Sequence, residues 1–317
     1  MPSNPRFLLS IDPHEPPPGL EGAVVAIGNF DGVHRGHRAV IARAQALARR
    51  LRRPCAVLTF DPHPADFFGR DRRIFRLTSL EAKAHRMAEL GLDGMLVLTF
   101  DEALASLDAE AFLREILLRR IGAGAVVVGY DFHFGARRSG TPAFLREAGP
   151  KFGLQVEIVD KVVADEDGSL DAVSSTAIRE ALQRGDVRAA AGLLGHAWSL
   201  TGLVIHGAKL GRQLGYPTAN LAVDPSCQLR HAIYAVEVAL DGRRLKGVAS
   251  FGRRPTVDNG PPLLEVYIFG FSGDLYGRDI EVFFVDFLRE EQKFDSLEAL
   301  IEQIRKDEAD ARRILGA

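Results

Sequence analysis

The stretch from Ala23 to Leu51 constrains the fold of this chain more than any other. A short apolar run, Ala23-Val24-Val25-Ala26-Ile27, leads into Gly28-Asn29-Phe30-Asp31-Gly32-Val33-His34-Arg35-Gly36-His37, and a helix-forming run from Ala39 to Leu51 follows. That order predicts strand, glycine-rich turn and helix. A phosphate can approach the backbone N–H groups at such a helix N-terminus. Gly32 and Gly36 allow close backbone approach, and the spacing of His34 and His37 puts both rings near one face of the first turn. The glycine spacing is not that of a Walker A loop, and no Lys-Ser or Lys-Thr follows, so an ordinary P-loop is excluded. Histidines three apart also occur as metal pairs or as solvated side chains, and glycines after a strand are often only turn formers.

A chain of 317 residues has room for two domains or one large one. Its 46% apolar and 26% charged content is that of a globular protein. A formal net charge of −2 and a pI near 6.5 argue against a general nucleic-acid coat or a polybasic membrane binder. Any phosphate must therefore be met by local groups. Cys55 and Cys227 stand far apart with no CxxC neighbour, which speaks against a disulfide framework or a structural zinc site. Met1-Pro2-Ser3-Asn4-Pro5-Arg6 carries no apolar signal core, and no apolar run approaches transmembrane length, so a cytoplasmic protein is expected.

After an extended leader at 12–19, apolar runs alternate with helical patterns. Strands are predicted near 23–28, 55–60, 94–99, 125–130 and 154–159, and helices near 38–52, 79–90, 108–120, 141–149 and 175–184. This alternation implies α/β architecture: a mostly parallel sheet with helices on both faces and ligands at the carboxyl ends of the strands. Beyond about residue 186 the pattern changes. A short helix at Arg188–Leu194 precedes strand-like runs at Leu200–His206, Ala232–Leu240, Leu245–Phe251, Leu263–Phe269 and Ile280–Phe287. Asp241-Gly242 is a hairpin turn signal, and Asp295-Ser296 can cap a closing helix that runs to about Leu315. A small antiparallel β-barrel or sandwich with a C-terminal helix is the natural outcome.

Three further segments of the first half carry candidate chemistry. Thr59-Phe60-Asp61-Pro62-His63-Pro64 ends the second strand, where the prolines stiffen the exit and hold Asp61 and His63. Gly129-Tyr130-Asp131-Phe132-His133-Phe134-Gly135 ends the fourth and leads into Arg137-Arg138; aromatic faces beside cations suit a planar ring that carries phosphate, although core phenylalanines in a satisfied loop would look the same. Ser174-Ser175-Thr176-Ala177-Ile178-Arg179 opens a helix, with hydroxyls able to cap it and Arg179 one turn in, able to meet phosphate.

In the second half, Thr201 to Asn220 contains Gly207, Gly211 and Gly215 with Lys209 and Arg212, a loop able to wrap phosphates. It ends in Gly215-Tyr216-Pro217-Thr218-Ala219-Asn220, where Thr218 and Asn220 share a face of an extended segment and can both reach one metal. Glu265 is an acid within an otherwise apolar strand, a pattern that surface-facing alternation also produces. Arg289 lies in a charged cluster that solvated helix-entry residues would also explain.

These motifs resemble, in order, the two modules of the prokaryotic bifunctional riboflavin kinase/FAD synthetases. The His34–His37 segment is similar to the His-x-Gly-His signature of the nucleotidyltransferase superfamily, and Ser174–Arg179 to its Ser-Ser-Thr-x-x-Arg element. Gly207–Asn220 is similar to the riboflavin kinase signature. The resemblance implies a Rossmann-like nucleotidyltransferase domain over residues 1–186 and a six-stranded Greek-key barrel with a C-terminal helix over residues 187–317. It implies that ATP phosphorylates riboflavin to FMN in the second and adenylylates FMN to FAD in the first. Implied site residues in the first reaction centre are His34, His37 and Arg179, with Gly28, Phe30, Asp31, Gly36, Ser174, Ser175 and Thr176 around ATP and Asp61, His63, Asp131 and Phe132 near the flavin. Glu265 matches the family's catalytic glutamate; Gly207, Lys209, Gly211, Arg212, Pro217 and Thr218 lie at the kinase ATP, Thr218 and Asn220 at magnesium, and Arg289 at the isoalloxazine ring. His133, Thr141 and Ser250 depart from the family pattern, which has Arg, an acid and Asn there. A nucleotidyltransferase for another acceptor, such as a cytidylyl or pantetheine-phosphate enzyme, leaves Gly207–Asn220 and Glu265 without a role. A flavin-binding or regulatory protein with one degenerate site is at odds with intact His37, Arg179, Thr218, Asn220 and Glu265.

Overall fold

Short runs rich in Val, Ile and Leu, too brief for buried helices, become the strands of a parallel sheet. The computed structural model of the chain describes residues 7–69, 73–161, 173–207, 214–252 and 262–317. Contacts divide it into two units: residues up to Ile74 with Ser79–Val173, and Phe75–Thr78 with Ser174–Ala317.

The first unit holds strands β1 (Leu8–Ile11), β2 (Val24–Ile27), β3 (Cys55–Asp61), β4 (Gly94–Thr99), β5 (Ala125–Gly129) and β6 (Gln155–Val159), in the spatial order β1-β4-β3-β2-β5-β6. Every pairing is parallel. Alternate residues of β2 feed two separate cores: Val25 and Ile27 on one face, Val24 and Ala26 on the other. Helix α1 (Arg35–Leu51) covers the second face with Ile41, Ala44 and Leu47, and Met87 of α3 (Leu80–Glu89) joins it. The first face is closed by Phe112, Leu113, Ile116 and Leu117, on a helical segment that is π-helical over Phe112–Arg120. Each such side chain, fully buried, contributes roughly 1.5–3 kcal/mol. Because β3 and β5 flank β2 and the chain leaves β2 toward β3, the carboxyl end of β2 lies at the switch in strand order, where open α/β sheets bind ligands. The Gly28–His37 turn begins there. Edge strand β1 was not anticipated; it pairs Leu8–Ile11 with Gly94–Val97.

The second unit begins with α7 (Ser175–Gln183) and α8 (Val187–Leu194). Strands β7 (Ser199–Ile205), β8 (Thr218–Ala222), β9 (Ala232–Leu240), β10 (Arg243–Gly252), β11 (Leu263–Ile268) and β12 (Asp279–Glu290) follow, then the C-terminal helix α9 (Leu297–Leu315). The strands close into an antiparallel barrel in the order β10-β11-β8-β7-β12-β9. Inward residues such as Val204, Leu221, Tyr234, Val236, Phe251, Leu264, Val266 and Phe284 fill it. The β9–β10 hairpin turns on Asp241 and Gly242, both at positive φ (49° and 75°), the conformation that Asp-Gly favours. Ser296 caps α9, whose Ala311 packs on the outer barrel residues Ile233, Ala235 and Val248.

Phe75–Thr78 also belongs to this unit. Phe75 and Leu77 join its core, the Phe75 ring meets Trp198 edge-on at 5.8 Å, and Trp198 Nε1 donates to the Leu77 carbonyl at 3.0 Å.

Candidate active sites

Between β2 and α1 the backbone makes a strained turn. Phe30, Gly32 and Val33 all have positive φ, at 49°, 87° and 44°; for a β-branched residue such as Val33 this is a true outlier. Phe30, Asp31, Val33 and His34 are buried, so surrounding packing enforces the conformation. His34 is the N-cap of α1, and its Nδ1 accepts from the His37 backbone N–H at 3.2 Å. That bond occupies Nδ1 as an acceptor and leaves Nε2 as the ring's donor. The two rings stack, with centroids 3.5 Å apart and planes at 16°, and Phe30 meets His37 edge-on at 5.2 Å. Burial, then the neighbouring His34 and Lys83, hold His37 well below the usual histidine pKa, so it is neutral near pH 7. Its Nδ1 is buried and has no hydrogen-bond partner among the described residues, a cost of about 1–3 kcal/mol of the kind that marks functional sites. Gly36 packs tightly here: a Cβ on it would stand 3.2 Å from the His34 ring, which would have to shift by a few tenths of an ångström. At Gly28 a Cβ would lie 3.4 Å from the Phe30 ring.

Lys83 was not singled out from the sequence. It is 7% exposed, and its Nζ donates to the Asn29 carbonyl at 2.7 Å and to Thr59 Oγ1 at 3.2 Å. A signal existed: Lys83 falls three residues after Leu80 and four before Met87, on the apolar stripe of α3, where a lysine is out of place.

At the carboxyl end of β3, Asp61 pairs with Thr99, and His63 caps α2 (Pro64–Phe68) by accepting from Ala65 N at 3.1 Å. After β5, Asp131 is exposed, and its carbonyl lies 2.8 Å from His133 Nδ1. Phe132 stacks on buried Phe134 at 5.4 Å. Thr141 is the N-cap of α6 (Pro142–Ala148), its Oγ1 accepting from Phe144 N at 3.1 Å, which accounts locally for a hydroxyl where the family pattern has an acid.

In the second unit, Ser174 caps α7 by accepting from Ala177 N at 3.1 Å, with Ser175 and Thr176 in the first turn. Arg179 Nε donates to the Phe75 carbonyl at 2.7 Å.

A row of outward-facing residues runs across the barrel. Register pairs Ile205 with Asn220, Asn220 with Glu265, Glu265 with Ser250, Ser250 with Ile233, and Ile233 with Arg289. Directly opposite residues share a face, so the topology brings Asn220, Glu265 and Ser250 together from distant parts of the chain. Thr218 lies two residues from Asn220 on the same face, and Asn220 Nδ2 approaches the Thr218 carbonyl at 3.4 Å. Gly207 lies flat against the Asn220 amide, so close that a Cβ there would stand 2.5 Å from Nδ2. Pro217 is exposed just before β8. Arg289, at the far end of the row, makes a bidentate ion pair with buried Asp307 of α9, Nε to Oδ1 at 2.8 Å and Nη2 to Oδ2 at 2.7 Å. Burial lifts the carboxyl pKa of Glu291, which lies over Gly252. Lys209, Gly211 and Arg212 lie outside the described residues.

A polar cluster in an α/β unit and a second one on a barrel make a two-module protein with a candidate site in each unit, and comparison with known proteins shows its class. Residues 17–177 match the FAD synthetase family model and residues 194–315 the riboflavin kinase model. The bifunctional riboflavin kinase/FMN adenylyltransferase of Escherichia coli K12 is 40% identical over 93% of this chain and 94% of its own length. The protein of the same name from Pseudomonas fluorescens is 43% identical over 95% of this chain and 96% of its own length. A crystal structure solved as a macrolide-efflux protein from Streptococcus pneumoniae superposes with a TM-score of 0.83 at 31% identity, covering 97% of this chain and 99% of that one. Among the described residues of the present chain no helix is long and apolar enough to cross a membrane. The chain belongs to the family of bifunctional riboflavin kinase/FMN adenylyltransferases.

Proposed function

We propose that the two activities of this family, phosphorylation of riboflavin to FMN and adenylylation of FMN to FAD, take place on the Asn220–Glu265 row and at the Gly28–His37 turn respectively. The observation that carries this assignment is the presence of two separate polar clusters, the His34–His37 turn in the first unit and the Asn220–Glu265 row in the second.

For adenylyl transfer no protein nucleophile is needed. A phosphate oxygen of FMN attacks the α-phosphorus of ATP, the new P–O bond forms as the bond to the β-phosphate oxygen breaks, and pyrophosphate leaves. The protein's part is alignment and stabilisation of charge on the transferring group. The α1 N-terminus offers its backbone N–H groups, and His34 and the neutral His37 bring imidazoles beside it. Gly28, Phe30, Asp31 and Gly36 shape the ATP cradle. By resemblance Asp61, His63, Asp131 and Phe132 are assigned to the flavin, and Arg179 with Ser174, Ser175 and Thr176 to a phosphate-binding motif of the same activity, although α7, which carries them, belongs to the second unit.

For phosphorylation, the Glu265 carboxylate takes the proton of the riboflavin 5′-hydroxyl as that oxygen attacks the γ-phosphorus and ADP leaves. Thr218 and Asn220 fit a magnesium ion: both carry hard oxygens on one face of β8, and Glu265 adds charge opposite Asn220. No cluster of three or more His, Cys, Asp or Glu able to hold a metal occurs among the described residues; magnesium carried by nucleotide phosphates needs only one or two protein ligands. When bound, the ion neutralises phosphate charge. Gly207, Lys209, Gly211, Arg212 and Pro217 are assigned to the kinase ATP and Arg289 to the flavin ring, reached from its pairing with Asp307. A cytoplasmic location is part of the same proposal, supported by the unpaired, buried thiols of Cys55 and Cys227.

Incubation with riboflavin, ATP and magnesium, followed by separation of FMN and FAD, tests the assignment directly. Accumulation of neither product overturns it, and FMN without FAD removes the adenylyl half.

A further inference from the structure

We propose that Lys83 is a positioning residue for adenylyl transfer: from beneath the glycine-rich turn its ammonium ties the Asn29 carbonyl to the Thr59 hydroxyl and so holds the strained Phe30–Val33 backbone that presents His34 and His37. This rests on the assignment of adenylyl transfer to that turn.

The geometry is a closed triangle. Lys83 Nζ donates to Asn29 O at 2.7 Å and to Thr59 Oγ1 at 3.2 Å, while Thr59 Oγ1 donates to the same Asn29 O at 3.0 Å. Thr59 is fully buried and Lys83 nearly so. A cation taken out of water is costly and persists only where its bonds are good; hydrogen bonds from a charged donor are about twice as strong as neutral ones. The carbonyl so held belongs to the residue just before Phe30, the first of three positions at positive φ. Such a backbone relaxes unless its surroundings over-determine it. Three elements meet at this point: the turn leaving β2, Thr59 of β3, and Lys83 of α3. The clamp therefore fixes the turn against the sheet at the end from which α1 and both imidazoles are aimed. Its charge also reaches the chemistry, since Lys83 is one of the groups that disfavour a proton on His37. Lys83 acts through Asn29 and not by touching the transferring phosphate.

The test compares Lys83→Met, Lys83→Arg, Thr59→Val and His37→Ala in the full-length protein, measuring kcat and KM for FAD formation from added FMN and ATP. Riboflavin phosphorylation in the same samples reports an intact second unit. In Lys83→Met, kcat should fall about 10²-fold, the cost of a misplacement of about 1 Å, with little change in the KM for ATP. Lys83→Arg should regain most of it, because a guanidinium supplies charge and two donors. Thr59→Val keeps shape and removes two sides of the triangle while leaving the charged Lys83–Asn29 bond, so it should lose about tenfold while folding normally, which keeps the test decisive if Lys83→Met does not fold. Parental kcat in Lys83→Met or Thr59→Val, or Lys83→Arg no better than Lys83→Met, overturns the proposal. His37→Ala separates the two levels: its retention of FAD synthesis removes the site assignment itself, whereas its loss beside a fully active Lys83→Met removes only the role of Lys83.

Discussion

Asn220 and Glu265 face each other directly across antiparallel β8 and β11, although 45 positions separate them in the chain. In such pairs the Cβ atoms are about 4.5–5.5 Å apart. A carboxylate suited to accept a proton thus lies beside an amide oxygen suited to a metal, on one patch of the barrel surface.

Replacing Glu265 by Gln keeps its size and most of its hydrogen bonding but removes the basic carboxylate. Loss of a general base costs about 10²–10⁴ in rate. Riboflavin phosphorylation should fall by that order while FAD formation from added FMN continues. Full kinase activity in this variant would remove Glu265 as the base.

Gly207→Ala tests the metal-side geometry. Gly207 does not have positive φ, so alanine carries no backbone strain there, and the expected effect is steric: the new Cβ would stand 2.5 Å from Asn220 Nδ2. Displacing that amide by about 1 Å should lower kinase kcat/KM about 10²-fold. Raising magnesium should restore part of the loss if Asn220 is a ligand. Unchanged kinetics would show that Asn220 can move without consequence.

His37 makes stability depend on pH. Burial, then His34 and Lys83, depress its pKa in the folded protein, so below the ordinary histidine value of about 6.5 the unfolded chain binds a proton that the folded one does not. The stabilisation from a neutral His37 is therefore complete above about pH 6.5 and declines as pH falls toward the depressed folded value, at up to about 1.4 kcal/mol per pH unit. Calorimetric melts between pH 5 and 7.5 should show the transition of the first unit falling in the parent and falling less steeply in His37→Gln. Parallel curves would contradict the sign or size of the shift.

Phe75→Ala should destabilise the barrel unit, not the unit that surrounds residue 75 in sequence. Phe75 is 2% exposed and packs on Trp198, and removing a buried phenylalanine ring costs about 3–5 kcal/mol. Heat inactivation of riboflavin kinase should occur at lower temperature, with an altered Trp198 fluorescence. A kinase as heat-stable as the parent would place Phe75 outside that core.

Much of this architecture is local and was legible in the chain. Apolar runs with period two, the Asp241-Gly242 turn, the Ser174 and Ser296 caps and the glycine spacing all act over a few residues, so they can be seen without knowing what packs against them. One short strand escaped for the same reason: Leu8–Ile11 is too brief to show a period and exists because Gly94–Val97 pairs with it. Thr218–Asn220 reads as extended, but Thr218–Ala222 carries Asn and Ala, poor strand formers, and is held as a strand between β7 and β11.

Sequence alone determined the chemistry available: which imidazoles, hydroxyls, amides and carboxylates the chain possesses, on which kind of local element, and to which family their order belongs. Tertiary structure decided which of them meet. The buried ammonium of Lys83 under Asn29, the Asn220–Glu265–Ser250 row and the inclusion of Phe75–Thr78 in the barrel unit all join residues whose separation carries no periodic signal. Propensity and spacing act along the chain. Desolvation, charge coupling and strand register act through space, and only the folded arrangement sets those distances.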